Sequence, residues 1–117
     1  MKEIFERRSV RKFAAREVEA EKLEAVLRAG MAAPSAGNQR PWEFYIVRDR
    51  EKLEALSKLS RYAGPIAAAP LAIVTVCDPE GKRFAEVAAT DMAACTENLW
   101  LGAVSEGLGT VWIGVYP

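Results

Sequence analysis

Residues 86–106 read EVAATDMAACTENLWLGAVSE, and a helix formed by this segment would carry apolar side chains nearly all round. A helix with that pattern is buried, either in the core of its own chain or against another subunit. The glycines of Gly107-Leu108-Gly109 follow directly and predict the end of the helix. We therefore expect one long buried helix against which the rest of the chain packs.

Three other segments have the patterns of strands. Residues 43–48 (EFYIVR) are aromatic and β-branched, residues 71–77 (LAIVTVC) form a continuous apolar run, and residues 110–116 (TVWIGVY) follow the long helix. The continuous run indicates a central strand that is covered on both faces. Three strands would leave two open edges, so we expect either that a partner supplies strands or that residues are missing.

Helical patterns separate these strands. Residues 17–33 carry apolar positions at spacings of three, four and seven, which predicts a helix with one buried stripe. The stripe consists of Leu23, Val26, Leu27 and Gly30. Asp49 is placed to cap a second helix over residues 50–59. Residues 2–8 favour a short helix, and residues 64–69 favour either a small-residue turn or a short helix. Strands that alternate with helices indicate an α+β or α/β chain whose sheet is flanked by helices.

The composition excludes several classes of function. The 117 residues include 16 Lys plus Arg, 16 Asp plus Glu and no His, which argues against a general nucleic-acid binder and excludes His-based triads and zinc sites. Cys77 and Cys95 are too few for a disulfide framework or a four-thiolate metal site, which fits a reducing cytoplasm. Residues 66–77, the most apolar stretch, are too short to span a bilayer. We expect a single cytoplasmic domain over residues 1–117 that binds no nucleic acid, membrane or metal.

A basic cluster near the N-terminus is the first candidate site. Residues 1–16 contain six basic and two acidic residues, and the cluster centres on Arg7-Arg8-Ser9, Arg11 and Lys12. Guanidinium groups bind phosphate oxygens bidentately, and a serine hydroxyl adds a neutral donor. The alternative interpretation is a solvated basic helix end.

The loop at residues 33–42, APSAGNQRPW, is the second candidate site. A proline and a glycine fix a loop after a helix, and its polar side chains Ser35, Asn38 and Gln39 present both donors and acceptors. Such a loop suits a planar heteroaromatic ring with alternating carbonyls and ring nitrogens. The alternative is a turn whose polar side chains satisfy their own backbone.

Weaker signals lie on the long helix and after it. Asp91 and Asn98 share one helical face, where a carboxylate is either a structural hydrogen-bonding group or a catalytic acid. We favour the structural role, because no second residue forms an acid and base pair with Asp91. Cys95 is expected in the core. Gly114, inside an apparent strand, is typical of a close approach by a ligand, although a packing glycine is the simpler interpretation.

These segments, in this order and at this spacing, resemble the nitroreductase family of FMN-dependent oxidoreductases. The matching stretches are Arg7-Arg8-Ser9-Val10-Arg11, the loop at 33–42, Asp91 with Asn98-Leu99, Gly107-Leu108-Gly109 and Trp112-Ile113-Gly114. Arg40, between the glutamine and the proline of the loop, departs from the family pattern. The resemblance runs nearly from end to end of the chain.

The resemblance implies an α+β nitroreductase-like fold, with a central β-sheet flanked by helices, in a homodimer with two FMN sites built from both chains. The ribityl phosphate and the pyrimidine edge would be held by Arg7, Arg8, Ser9 and Arg11. The loop of the partner subunit would contribute Pro34, Ser35, Ala36, Asn38 and Gln39. Main chain at Ile113, Gly114 and Val115 would approach the reactive ring nitrogen. No side chain is implied as catalytic, because a flavin carries the redox chemistry itself.

The implied activity is a ping-pong reaction. NADH or NADPH would reduce FMN by hydride transfer, and a nitroaromatic, a quinone or a similar small electrophile would then take the electrons. Family members usually continue for several dozen residues beyond Trp112-Ile113-Gly114, so we expect a chain that lacks the usual C-terminal strand and extension. The alternatives are a flavin-binding or dimerising remnant without turnover, and a dehalogenase or flavin-cleaving relative of the same fold.

Overall fold

The computed structural model describes residues 1–115. Its helices are α1 (Lys2–Glu6), α2 (Ala20–Met31), α3 (Arg50–Leu56) and α4 (Ala88–Ser105), and its strands are β1 (Trp42–Val47) and β2 (Ala72–Cys77). Short 3₁₀ turns occur at Ala36–Asn38, Gly64–Ala68 and Ala85–Val87. This order of helices and strands agrees with the α+β alternative that the sequence predicts.

The core lies between α2 and α4. One face of α4 is buried, and its apolar members Cys95, Leu99 and Ala103 form a cluster with Val26 of α2 and Ala33. The other apolar side chains of α4 are mostly half-buried within the single chain. The prediction of a long helix is therefore confirmed, and its burial within this chain is limited to one face.

Two glycines let α2 and α4 approach closely. A Cβ atom on Gly30 would lie 2.6 Å from Leu99 Cδ2, and one on Gly102 would lie 2.8 Å from Ala29 Cβ. The Nδ2 group of Asn98 donates a hydrogen bond of 3.1 Å to the carbonyl oxygen of Ala29. Each helix thus contributes one glycine to the contact, Gly30 from α2 and Gly102 from α4, because a larger side chain at either position would overlap the facing helix.

The helix ends follow the predicted capping chemistry. The Asp49 carboxylate accepts a 3.0 Å hydrogen bond from the Lys52 amide, which caps α3 as expected. At the other end of the chain, Gly107 has a φ of +73°, and the Leu108 amide donates to the Ala103 carbonyl at 2.8 Å. This Schellman-type turn needs a left-handed residue, which glycine adopts without strain.

The sheet is smaller than predicted. β1 and β2 pair antiparallel, with Trp42 opposite Cys77 and Val47 opposite Ala72. Within residues 1–115, β2 pairs only with β1 and most of its residues are half-buried, so the prediction of a central, fully covered strand is wrong. An apolar run becomes a central strand only where neighbours pair on both sides of it, and this part of the chain supplies one neighbour.

The predicted third strand at residues 110–116 is wrong over residues 110–115. Thr110 forms an isolated parallel bridge with Ser9, and residues 111–115 have no strand structure. The segment has the β-branched and aromatic residues of a strand, but that composition produces a strand only where a neighbouring strand pairs along its length. Tyr116 lies outside the described residues.

Burial raises the pKa of the Cys95 thiol from 9.0 to about 11, and the side chain has no exposed surface. At pH values between these two pKa values, the thiol is ionised in the unfolded chain and protonated in the folded chain. The free energy of unfolding therefore falls as the pH rises through this interval. One pKa unit corresponds to about 1.4 kcal/mol, so this group removes about 2–3 kcal/mol of stability across that interval.

The Cys95→Ala variant has no thiol to ionise at this position. Between about pH 9 and about pH 11 its free energy of unfolding should therefore fall by about 2–3 kcal/mol less than that of the unaltered protein. Urea unfolding of both proteins at about pH 8 and about pH 11 measures the effect, since other titrating groups cancel between the two proteins. An equal stability difference between the proteins at both pH values would contradict the account.

Among the helices described over residues 1–115, none combines the length and the hydropathy of a membrane-spanning segment.

Candidate functional site

The structure places the basic N-terminal segment beside the segment that follows α4. Ser9 forms a parallel bridge with Thr110, and the Val10 amide donates a 3.0 Å hydrogen bond to the Thr110 carbonyl. A Cβ atom on Gly109 would lie 2.8 Å from Val10 Cγ1, so the two segments are in close contact. Two of the three stretches that the sequence selects are therefore brought together within one chain.

The positive charges of this segment have no acidic partners within residues 1–115. Arg7, Arg8, Arg11 and Lys12 form no ion pair there, whereas Arg16 pairs with Glu19 at 2.7 Å. Arg8 and Arg11 are exposed. Since an unpaired guanidinium keeps all its donors, the segment can accept a phosphate or another oxyanion without breaking an existing ion pair.

Glu3 on α1 does not neutralise this cluster. Its carboxylate lies 3.1 Å from the N-terminal ammonium group of Met1. A backbone hydrogen bond at Glu3 lowers the pKa of its carboxyl group, and the hydrogen bond from the terminal ammonium lowers it further. Its charge is thus paired with the terminus, and the arginines that follow α1 remain available.

Arg7 differs from its neighbours because it rests on an aromatic ring. Its guanidinium carbon lies 4.3 Å from the centroid of the Trp100 ring on α4, and the Arg7 side chain is half-buried. In the sequence, Trp100 is only one of many apolar residues on the predicted long helix. Its contact with the basic segment joins positions 93 residues apart, which no local pattern could have predicted.

The loop at 33–42 adopts an unusual backbone. The φ angles of Gly37 and Asn38 are both +55°, and that of Arg40 is +45°. Left-handed conformations are uncommon for residues with a side chain and persist only where the surroundings hold them. Inside the loop, the Ser35 hydroxyl accepts a 2.9 Å hydrogen bond from the Arg40 amide. For Ser35, the alternative interpretation, a turn whose polar side chains bond their own backbone, is therefore confirmed.

A buried carboxylate fixes this loop to α4. Asp91 is only 6% exposed and accepts hydrogen bonds from the Ala36 amide at 2.9 Å and from Gln39 Nε2 at 2.7 Å. Gln39 also donates to the Phe84 carbonyl at 3.1 Å and accepts from the Phe84 amide at 3.0 Å. The expectation that Asp91 is a structural hydrogen-bonding residue is thereby confirmed.

The same network limits what Gln39 offers to a ligand. Both hydrogens of its amide group are donated to Asp91 and Phe84, and its oxygen already accepts one hydrogen bond. Asn38, in contrast, is exposed, and its side chain has no hydrogen-bond partner within the described part of the chain. Pro34 is exposed, and Ala36 is half-buried. Asn38 is therefore the loop side chain best placed to meet a ligand.

Phe84 is a member of the network that sequence reasoning missed. A Cβ atom on Gly37 would lie 2.6 Å from Phe84 Cε2, so the ring covers the loop. Phe84 lies 45 residues from Gln39, and no spacing in the sequence links the two.

Residues 113–115 are largely uncovered by the other described residues of the chain. Ile113 is half-buried, Gly114 and Val115 are exposed, and a Cβ atom on Gly114 would meet no atom of residues 1–115 within 4 Å. The close approach that the sequence suggests for Gly114 is therefore not made by any described residue of this chain. The space beside this glycine is open to a ligand or to a partner.

The loop and the basic segment sit near opposite ends of α4. Asp91, in the first turn of the helix, holds the loop, and the basic segment bridges to Thr110, just beyond Ser105. At 1.5 Å per residue, the rise from Asp91 to Ser105 is about 21 Å. Within one chain, the two predicted halves of the site are therefore separated along this helix.

Two cavities open elsewhere on the surface. One, of about 260 Å³, is lined by residues around Arg16, Arg50 and Pro70, and the other, of about 300 Å³, lies between Val47 and Leu59. Neither contains a residue of the candidate site. In the described part of the chain, no group of three or more Cys, Asp or Glu residues could hold a metal ion.

Comparisons with known proteins agree along the whole chain. The model of the nitroreductase family matches residues 4–80 and 62–117. A candidate NADH dehydrogenase/NAD(P)H nitroreductase of Archaeoglobus fulgidus is 42% identical over 118 residues, covering 100% of this chain and 68% of its own length.

Solved structures have the same fold. A candidate NADH oxidase of Clostridium acetobutylicum superimposes with a TM-score of 0.95 at 49% identity, over 98% of this chain and 69% of its own. An FMN-dependent nitroreductase of Clostridium difficile superimposes with a TM-score of 0.89 at 39% identity, over 97% of this chain and 65% of its own. The chain thus spans about two thirds of the length of these proteins, and the nitroreductase-like fold is confirmed.

Proposed function

The chain belongs to the nitroreductase family, and on this premise we propose that it binds FMN and acts as an NAD(P)H-dependent oxidoreductase. The relatives named for this chemistry include an FMN-dependent nitroreductase that is 39% identical to the chain over the aligned residues. Several proteins of this kind align with almost the whole of residues 1–117. The proposal extends that family chemistry to this chain.

One observation carries the proposal. The basic segment holds three arginines without acidic partners in the described residues. The Ser9–Thr110 bridge joins it to the segment that reaches Gly114 four residues later, where the described residues leave open space. An FMN molecule has a phosphate at one end and a flat ring at the other. Free guanidinium groups on one segment can bind the phosphate, and an uncovered glycine on the segment bridged to it leaves room for the ring, so these residues fit the cofactor.

The residues have separate tasks in this proposal. Arg8 and Arg11 bind oxyanion or carbonyl groups of the cofactor through their free donors, and the Ser9 hydroxyl adds a neutral hydrogen bond. Main chain at Gly114 approaches the ring because no side chain stands in the way. When bound, FMN supplies the hydride-transfer chemistry, so the protein needs no acid and base pair of its own.

We also propose that two chains complete each site. The loop at 33–42 and the basic segment lie near opposite ends of α4, and an antiparallel pairing of two α4 helices would bring the loop of the partner subunit to the basic segment. Half-buried apolar residues on the outer faces of α4, such as Leu101 and Val104, supply material for that contact. Asn38 and Ala36 would then reach the flavin from the partner subunit.

Anaerobic reduction tests the proposed activity. The protein reconstituted with FMN should lose its visible flavin absorbance when NADH or NADPH is added, and it should recover that absorbance when a quinone or nitroaromatic compound follows. Free FMN at the same concentration is the control for reduction that does not involve the protein. Bound FMN that neither nucleotide bleaches would contradict an oxidoreductase and favour the flavin-binding remnant.

The order of addition tests the ping-pong cycle. Recovery of absorbance after the oxidised nucleotide has been removed would agree with two successive half-reactions at one ring face. If the acceptor oxidises the protein only while the nucleotide is still present, the two half-reactions are not independent. A panel of halogenated aromatics and quinones then separates a reductase from a dehalogenase.

A further inference from the structure

Trp100 combines two features that packing alone does not explain. Its indole Nε1 atom is buried and has no hydrogen-bond partner within residues 1–115, although the rest of the side chain is only half-buried. Its ring face is covered by the Arg7 guanidinium, whose carbon lies 4.3 Å from the ring centroid. A leucine or phenylalanine would fill the space between α1 and α4 without an unsatisfied N–H group.

The contact with the Arg7 guanidinium explains why this position has an indole ring. Tryptophan provides the most favourable aromatic face for a guanidinium group, ahead of tyrosine and phenylalanine. Stacking uses the flat face of the guanidinium, whereas its N–H groups point outward in the plane. Arg7 is therefore held by a contact that leaves its hydrogen-bond donors free.

Arg7 is the only supported arginine of the basic segment among the described residues. Arg8 and Arg11 are exposed, and neither has an aromatic or acidic contact within residues 1–115. Free arginine side chains lose conformational entropy when they bind an anion, and a pre-positioned one loses less. The stack on Trp100 lowers that entropy cost for Arg7 before the anion arrives.

We propose that Trp100 is a positioning residue that holds Arg7 for the phosphate of FMN, and that it thereby sets the preference of the chain for FMN over riboflavin. This inference rests on the proposed function, since it assumes that the chain binds a flavin at the basic segment. Trp100 touches no part of the flavin in this account and acts through Arg7.

Binding constants for FMN and for riboflavin, which lacks the phosphate, test the proposal. In Trp100→Leu, FMN affinity should fall about fivefold or more, because a cation–π contact is worth roughly 1 kcal/mol or more at a partly buried site. Riboflavin affinity should change less than about twofold, since no phosphate is involved. In Trp100→Phe, which keeps a weaker aromatic face, the loss for FMN should be smaller.

A double-variant cycle separates positioning from general damage. In an Arg7→Ala background, Trp100→Leu should add less than about twofold to the loss of FMN affinity, because the group that it positions has gone. Tyr62→Leu is the matched control, since it removes an exposed ring beneath Arg61, 5.1 Å from the guanidinium carbon, on a remote turn. That control should leave both affinities unchanged.

Two results would overturn the inference: equal losses for FMN and riboflavin in the Trp100 variants, or losses that add fully in the double variant. If Trp100→Leu does not fold, as judged by its thermal unfolding, the Trp100→Phe cycle carries the same comparison. Failure of the unaltered chain to bind either flavin would instead overturn the proposed function, so the two failures are distinguishable.

Discussion

Replacement of Asp91 with Ala is expected to lower the free energy of unfolding by about 3 kcal/mol or more. The carboxylate is 6% exposed and accepts hydrogen bonds from the Ala36 amide and Gln39 Nε2. Its loss leaves the Ala36 amide without a partner and Gln39 Nε2 with only its bond to Phe84. Each lost bond to a charged group costs about 1.5–3 kcal/mol. Since domains of this size are stable by only about 5–15 kcal/mol, the effect is a large part of the total.

Urea unfolding measures this change. Two further variants test whether the loss depends on the hydrogen bonds that Asp91 accepts. Asp91→Asn retains an acceptor for the Ala36 amide but turns an NH₂ group toward Gln39 Nε2, so we expect an intermediate loss of about 1–3 kcal/mol. Glu97→Gln makes the same chemical change on the same helix, at a side chain without a hydrogen-bond partner in the described residues. Equal stabilities of the Asp91→Ala and Glu97→Gln variants would contradict the role of Asp91.

The loss of Asp91 should also release the loop. Asn38 and Arg40 have left-handed φ angles, which the bonds from Asp91 and Ser35 hold in place. Because Gln39 bonds Phe84 at both ends of its amide, the loop would keep that second attachment after Asp91 is removed. Faster amide exchange at the Ala36 and Asn38 backbone, ahead of global unfolding, is the expected signature.

Replacement of Arg8 or Arg11 with Ala is expected to weaken FMN binding about tenfold or more, since the charge-assisted hydrogen bonds at stake are worth about 1.5–3 kcal/mol each. The same substitution at Lys12 should weaken it less. All three side chains are exposed and lack acidic partners in the described residues, so removal breaks no existing ion pair. Flavin titrations of the three variants measure the difference.

The comparison is controlled within the segment itself. Lys12→Ala removes the same charge at a neighbouring exposed position, so a purely long-range electrostatic effect would be similar in all three variants. Salt would also screen such an effect strongly, because the Debye length at 0.15 M ionic strength is about 8 Å. Small and equal losses at Arg8, Arg11 and Lys12 would therefore contradict the assignment of Arg8 and Arg11 to the cofactor.

Much of the fold is predictable from local patterns. The α2 stripe, the cap at Asp49 and the glycine that ends α4 each depend on residues within a few positions of one another, and the structure has all three. The strand at residues 110–116 failed over its described part because strand formation depends on a distant pairing partner. Composition alone cannot supply that information.

In the candidate site too, the features set by neighbouring residues are predictable and those that depend on distant contacts are not. The basic segment and the polar loop are visible as motifs, but the contacts that hold them are not. Asp91 reaches Ala36 across 55 residues, and Trp100 lies beneath Arg7 across a still longer separation. Nothing in the sequence shows that Gln39 is tied to Phe84, or that the Ser9–Thr110 bridge joins two of the motifs.

In the proposed dimer, each FMN is held by the basic segment of one chain and the loop of the other. Size-exclusion chromatography with light scattering, after incubation with FMN and removal of the excess, tests it most directly. We expect a species of twice the chain mass that carries one FMN per chain, detected by its visible absorbance. A species that carries no flavin, or a monomer that holds FMN as tightly as the dimer, would contradict it.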